Sequence, residues 1–363
     1  MTSSRVVVAV RAALPSPRPQ GWQATQMAFA FASLGLPTTL VGDPALPDGV
    51  PDTVNEWVGD LPDCLDAVVP PAPLRPPMAG LRFRRALRTL QGTDALLLCR
   101  DPRVAAAQPR GRWGAVVMEW HVRPDPSDRR HRRALRRADL HVTVARGLAD
   151  DLLAAGVRAS RLLLLHNACG LDVDRAARRR ASLGAGGPHH VLALGLHRRS
   201  GLDDALDAWA SAPTLPPLHI AGRDQGGVRV GAWAVRLDAL GLTDRVKLMP
   251  PAWGVDREAI LDGAACWLAA YPDDGDTRTR LSPLQVADAL GSGLPLVAPD
   301  LPSVRDIAGD APFHAYRPGD ASSLAAAVHE ALERPMVGDP ARRPRWLDRA
   351  RALLDVVREG VAA

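Results

Sequence analysis

Short apolar runs bounded by turn residues alternate with longer amphipathic stretches through most of this chain. An uninterrupted apolar run suits a strand buried on both faces, and the amphipathic stretches supply the helices that cover it, so the pattern calls for parallel sheets in an α/β protein. In the first half the runs predict strands at Val6–Val10, Thr38–Val41, Ala95–Cys99, Ala115–Met118, Leu140–Val144 and Leu162–Leu165. The proline-rich stretch from Asp43 to Pro77 predicts irregular connections. An Arg- and Gly-rich segment, Arg175 to Pro188, interrupts the pattern, and a second series follows. Its predicted strands are Val191–Leu194, Leu218–Ala221, Val246–Leu248, Trp267–Ala270 and Leu296–Ala298, with helices starting near Leu202, Val230, Asp256, Pro283 and Ser322. No short-period repeat is visible. At 363 residues the chain exceeds one ordinary core, so two domains are expected. The boundaries read as a first domain over 1–170, a linker over 171–187 and a second domain over 188–335. A terminal helix over 336–363 is expected to pack at the domain junction.

Composition narrows the chemistry. Lys247 is the sole lysine, so phosphate groups must be held by arginine forks, hydroxyls or backbone N–H groups. With 4% aromatic residues and no zinc-finger, helix–turn–helix or RNA-binding signature, a net charge of +5 does not point to nucleic acid, and none is expected as a partner. Cys64, Cys99, Cys169 and Cys266 are too dispersed for a metal or redox motif and are expected as reduced, mostly buried thiols. The stretch from Met1 to Arg11 lacks the segments of a signal peptide, and no long uncharged apolar run occurs, so a cytoplasmic location is expected.

The first strand leads through Arg11-Ala-Ala-Leu-Pro-Ser-Pro-Arg-Pro-Gln-Gly21 into a helix predicted over Trp22–Leu34. A dinucleotide fingerprint needs three glycines there, and Gly21 alone argues against a nicotinamide or flavin enzyme. Gly21 either lets a substrate approach closely or simply ends a loop.

The second half carries a more specific pattern. His190-His-Val-Leu-Ala-Leu-Gly-Leu-His-Arg-Arg-Ser-Gly-Leu-Asp-Asp-Ala-Leu-Asp-Ala208 resembles the opening strand, loop and helix of the donor domain in retaining GT-B glycosyltransferases, particularly family 4. Leu218-His-Ile-Ala-Gly222, Leu242-Thr-Asp-Arg-Val-Lys-Leu248 and Ser282-Pro-Leu-Gln-Val-Ala-Asp-Ala-Leu-Gly-Ser-Gly-Leu-Pro-Leu-Val-Ala298 follow in the order of that family. Glu119-Trp-His121, Ala138-Asp-Leu-His-Val-Thr-Val144 and Leu165-His-Asn-Ala-Cys-Gly-Leu-Asp172 resemble its N-domain signatures. The resemblance spans nearly the whole chain. It implies two Rossmann-like domains facing across a cleft and transfer of a sugar, with retention of configuration, from a nucleotide-sugar donor. A uridine diphosphate sugar is the default donor and a guanosine diphosphate sugar the alternative. The acceptor, whether a glycan, a lipid-linked group, a small molecule or a peptide, is not implied. An epimerase or hydrolase on the same scaffold, or a catalytically silent binding protein, is the competing reading.

By this resemblance the candidate catalytic residues are His121, Arg198 and Arg199, and the donor-binding residues are Gly21, Gly195, Arg280, Ser282, Pro283, Leu284 and Asp288. The Ser282-Pro-Leu turn would offer N–H groups to a diphosphate, and Asp288 would take the ribose hydroxyls as the second glutamate of an E-x7-E motif does. Ser282 as an ordinary helix cap, Asp288 on a solvated face, and His121 as a buried structural histidine are the plainer alternatives. Three positions depart from the family: Arg280 replaces the first glutamate, Gln285 replaces a lysine, and Arg198 and Arg199, followed by Ser200, stand where an Arg/Lys pair is usual. Asp274-Gly-Asp276 matches a metal-binding D-x-D. A two-lobed donor site can stabilise phosphate without metal, so no metal or other cofactor is expected. The basic run Arg129–Arg137 is either a solvated face or a contact to anionic membrane, which would place the protein peripherally at the inner membrane face.

Overall fold

The computed structural model describes residues 4–14, 19–44, 62–68, 76–183, 190–197, 201–225, 230–250 and 254–360. Arg198, Arg199 and Ser200 lie outside the described residues. By contacts the chain divides into two units, one made of residues 1–166 and 345–363, the other of 167–344.

The first unit begins β1 (Arg5–Leu14), α1 (Pro19–Ser33), β2 (Thr38–Pro44), β3 (Leu65–Val68), α2 (Pro76–Thr89) and β4 (Gly92–Cys99). It continues α3 (Pro102–Ala106), β5 (Trp113–Trp120), α4 (Arg129–Arg137), β6 (Leu140–Thr143), α5 (Arg146–Ala154) and β7 (Leu162–Leu164). Its sheet has the order β3-β2-β1-β4-β5-β6-β7, and every pairing is parallel. The apolar runs sit where a doubly covered sheet needs them. Val6, Val7 and Val8 of β1 and Leu96, Leu97 and Leu98 of β4 are all at most 1% exposed, each such side chain contributing roughly 1.5–3 kcal/mol by leaving water.

The second unit holds α6 (Val173–Ser182), β8 (His190–His197), α7 (Leu202–Ser211), β9 (Leu218–Gln225), α8 (Val230–Ala239), β10 (Val246–Met249) and α9 (Gly254–Asp262). It continues with β11 (Ala264–Leu268), α10 (Gly275–Thr279), α11 (Leu284–Leu290), β12 (Leu296–Pro299), α12 (Pro302–Ala308), β13 (His314–Tyr316) and α13 (Ala321–Glu333). Its parallel sheet runs β10-β9-β8-β11-β12-β13. The last helix, α14 (Trp346–Gly360), belongs with the first unit and packs on α1.

Several elements differ from what the sequence predicts. The proline-rich region contains β3, whose four residues pair with β2 as an edge strand. Helix α1 starts at Pro19, ahead of the expected Trp22, because proline's fixed φ and missing N–H suit a first helical turn. Strand β11 begins at Ala264 and ends at Leu268, earlier than predicted. Residues 173–182, inside the segment expected as a linker, form α6, and its Arg179 is 4% exposed. Arg179 donates to Asp262 at 2.6 Å and to the Ser292 carbonyl at 2.8 Å, and it pairs with Glu258. These partners fasten α6 to the second unit.

Both sheets reverse their strand order at one place, between β1 and β4 in the first and between β8 and β11 in the second. In open α/β sheets a crevice opens there at the carboxyl ends of the strands, because neighbouring connections leave on opposite faces.

Candidate functional site

In the first unit the crevice is occupied by a buried polar network. Arg100 directly follows β4, and His121 directly follows β5. Glu119, the penultimate residue of β5, is 2% exposed, and Arg349 of α14 is 4% exposed. Arg349 contacts one Glu119 oxygen at 2.8 Å, while His121 Nε2 and Arg100 Nε approach the other at 2.5 and 3.3 Å. Arg100 also donates to the Gln20 carbonyl at 2.8 Å and to the Gln23 side chain, which ties the network to α1. Arg349 donates to the His166 carbonyl at 3.0 Å.

Electrostatics set the protonation. Burial alone would raise the Glu119 carboxyl, but Arg349, the His121 hydrogen bond and Arg100 hold it well below the ordinary carboxylate range. Burial, then Arg100, lowers His121 to about 4. Burial lowers Arg100 to about 10, so it stays charged near neutrality. His121 Nε2 is shared between a charged donor and a carboxylate: Arg100 Nε donates to it at 3.0 Å, and a Glu119 oxygen lies 2.5 Å away. His121, Arg100 and Gln20 line a pocket of about 360 Å³ together with Trp120 and Arg130.

Gly21 has a different place. It lies buried in the first turn of α1, where its carbonyl accepts from Thr25 Oγ1 at 3.0 Å. The loop-ending reading is thereby corrected, since the helix has already begun at Pro19. Neighbouring Gln20, which carries no motif of its own, reaches the pocket instead.

In the second unit the corresponding crevice gathers Gly195 and the start of α11. Gly195 has φ +86°, a left-handed conformation that glycine adopts without Cβ strain, and the β8–β9 register shifts between Leu194 and Leu196. Gln285 Nε2 donates to the Leu194 carbonyl at 2.8 Å, joining this bulge to the first turn of α11. Pro283 is the N-cap of α11, and Leu284 is its first helical residue.

Ser282 is buried and does not cap the helix, which corrects that reading: its hydroxyl accepts from the Asn167 N–H at 3.0 Å, and its carbonyl accepts from Asn167 Nδ2 at 2.6 Å. Asp288 is 2% exposed and so not on a solvated face. One of its oxygens accepts from the Gly170 N–H at 2.9 Å, and the other pairs with Arg257 at 3.1 Å. Asn167 and Gly170 lie within the Leu165–Asp172 motif, to which the sequence alone assigns no role, and Arg257 carries no sequence signal at all.

Arg280 is the C-cap of α10, and its guanidinium donates to the Gly275 carbonyl at 3.1 Å. Asp274 caps α10 with a reciprocal bond to Thr277 and accepts the Asp276 N–H at 3.0 Å. The first carboxylate of the D-x-D motif is thus engaged in building a helix start. Among the described residues no three His, Cys, Asp or Glu side chains gather as metal ligands. Cys99, Cys169 and Cys266 are buried and none of the four cysteines is in a disulfide. Burial raises Cys266 to about 12 and Cys99 further. No helix of the described residues is long and apolar enough to cross a membrane.

No protein-family model and no curated protein sequence matches the chain. Solved structures do. HepE of Anabaena, in complex with UDP and glucose, matches with TM-score 0.65 at 16% identity, covering 99% of this chain and 98% of that one. The catalytic domain of starch synthase IV from Arabidopsis thaliana, bound to ADP and acarbose, matches over 100% of both chains with TM-score 0.68 at 10% identity. The chain has the GT-B fold. Sucrose-phosphate synthase from Thermosynechococcus elongatus shares it, with TM-score 0.63 at 16% identity over 99% of this chain and 94% of that one. At these identities the likeness is one of architecture, and the chemistry has to be argued from the site.

Proposed function

We propose that this protein is a retaining, family 4-like glycosyltransferase that moves a sugar from a nucleotide-sugar donor, by default a UDP-sugar, to an acceptor held by the first unit. The observation that carries the reading is the meeting of the Gly195 bulge with the first turn of α11 at the second sheet's switch point. A positive-φ glycine lets backbone approach a diphosphate closely, and the surrounding fold is shared with a structure that binds UDP-glucose. In this reading Gly195 and the turn Ser282–Leu284 meet the diphosphate. Arg198 and Arg199 stabilise the charge that develops on the leaving group, an interaction that strengthens in the transition state. Asp288 accepts the ribose hydroxyls on lone pairs left over from Gly170 and Arg257, since each carboxylate oxygen carries two. His121 hydrogen-bonds a hydroxyl of the sugar or acceptor. No divalent metal is needed.

A second reading is favoured by one observation. Arg280, where the family has a glutamate, folds back on its own short helix, which suits a protein that binds a nucleotide sugar without transferring it. The two readings separate on turnover: incubation with UDP-sugars and an acceptor mixture yields UDP and a glycosylated product from a transferase, UDP and free sugar from a hydrolase, and neither from a binding protein. Peripheral contact with anionic lipid through Arg129–Arg137, at the cytoplasmic face, belongs to the same proposal.

A further inference from the structure

The arginines of α4 are not equivalent. Arg132 donates to the Pro126 and Ser127 carbonyls at 2.8 and 2.7 Å, and Arg137 donates to the Gln108 and Pro109 carbonyls at 2.9 and 3.0 Å. These two hold the helix to its own unit. Arg129, Arg130 and Arg133 instead line a pocket of about 520 Å³, which Arg84 of α2, Arg103 of α3 and Arg11 of β1 reach from other elements. The pocket adjoins the His121 pocket and shares Arg11, Arg103, Arg130 and Asp128 with it.

Among the described residues, six arginines from four elements line one concavity with a single carboxylate, Asp128. Asp128 itself caps α4 by accepting the Arg130 N–H at 2.6 Å. Arg11 is paired with Asp43 and Arg103 with Asp101. Arg100, which lines the adjoining pocket, shares the one charge of Glu119 with Arg349, so that network carries one positive charge in excess. Like charges gathered around one concavity repel, and a bound anion relieves that repulsion. Forked guanidinium donors match the oxygens of a phosphate group. The recess has the size of a headgroup or a sugar phosphate, beyond what a flat membrane contact requires.

We infer that the acceptor carries a phosphate group, bound by Arg84, Arg130 and Arg133 with its sugar portion directed to His121. This rests on the transferase reading for the word acceptor, although the anion site stands without it. The phosphate belongs either to a soluble sugar phosphate or to a lipid headgroup, and the experiment separates the two.

The test is calorimetric titration of glucose 6-phosphate, and of glucose as the neutral control, into protein saturated with UDP so that the donor site is filled. Cosedimentation with phosphatidylcholine vesicles, with and without phosphatidylglycerol, forms the second arm. The variants are Arg130→Gln/Arg133→Gln and Arg84→Gln, all at exposed positions whose loss leaves the fold intact, as circular dichroism verifies. Wild-type protein binds glucose 6-phosphate but not glucose, or binds only the anionic vesicles, and the double variant weakens that binding by about tenfold or more while UDP affinity is unchanged. Binding also weakens as salt is raised. Equal affinity for glucose and its phosphate, no binding in either arm, or undiminished binding by the double variant overturns the inference. Failure of UDP to bind counts against the transferase reading alone, because the phosphate titration can be repeated without it.

Discussion

Replacing Glu119 by glutamine tests the network beneath His121 in the most direct way. The substitution keeps the shape of the side chain and removes its charge, leaving Arg349 and Arg100, whose side chains are 2% and 7% exposed, as buried cations without a counter-charge. Breaking a buried ion pair by removing one partner costs about 3–5 kcal/mol, chiefly through the stranded charge. For a unit of this size 1 kcal/mol moves Tm by about 2–4 °C, so the first unit should melt about 6–20 °C lower. Differential scanning calorimetry reads this, and the second unit's transition serves as an internal reference where the two separate. Adding Arg349→Met removes one stranded cation and should return part of the loss, which a double-mutant cycle measures as coupling. A Glu119→Gln protein within about 1 kcal/mol of wild type, or no recovery in the double variant, refutes the argument that this carboxylate neutralises two buried arginines.

The remaining predictions concern titration and the second unit. His121 and His141 are both lowered to about 4, by burial first, so between pH 4 and 6.5 the unfolded chain binds protons that the folded one does not. Stability is therefore full above pH 6.5 and falls as the pH drops toward 4, each histidine contributing a slope of up to about 1.4 kcal/mol per pH unit; a Tm unchanged over that window contradicts the assignment. Asp288→Ala and Asp288→Asn both remove the charge that faces Arg257, but asparagine keeps an acceptor for the Gly170 N–H, so alanine should cost about 1–3 kcal/mol more than asparagine in denaturant unfolding, and donor affinity is best measured in the asparagine variant. Equal costs for the two exclude the Gly170 contact as a contributor. Gly201, with φ +55° and a position where a Cβ would lie only 2.8 Å from the Tyr271 nitrogen, should tolerate alanine poorly, losing about 1–3 kcal/mol by calorimetry.

What the sequence shows of this protein follows from which forces are local. The parallel strands are legible because Val6–Val10 and Ala95–Cys99 are unbroken apolar runs, and a strand buried on both faces must be one. Strand β13, His314-Ala-Tyr316, offers only three residues with a buried histidine among them, so periodicity has nothing to work on. Strand β3 hides for a related reason: its Leu-Asp-Ala-Val run is short and lies among prolines. At the site, His121 and Glu119 stand out by their place at a strand end, but Arg349 lies 230 positions from Glu119 and only tertiary structure joins them. Likewise the partners of Asp288 come from Gly170 and Arg257, 118 and 31 positions away. Charge runs mislead in the opposite sense, since the arginines of Arg129–Arg137 read as one basic face while the fold divides them between backbone carbonyls and a pocket.

Binding of a nucleotide sugar by the second unit is read from the melting temperature of the purified protein against a panel of nucleotides and nucleotide sugars. A ligand at about 100 times its Kd stabilises the folded state by about 2.7 kcal/mol. If the second unit binds a nucleotide sugar, the shift is selective for one nucleotide and its sugars, UDP first among them, and is retained when EDTA removes divalent metal. No shift with any member at saturating concentration would contradict it.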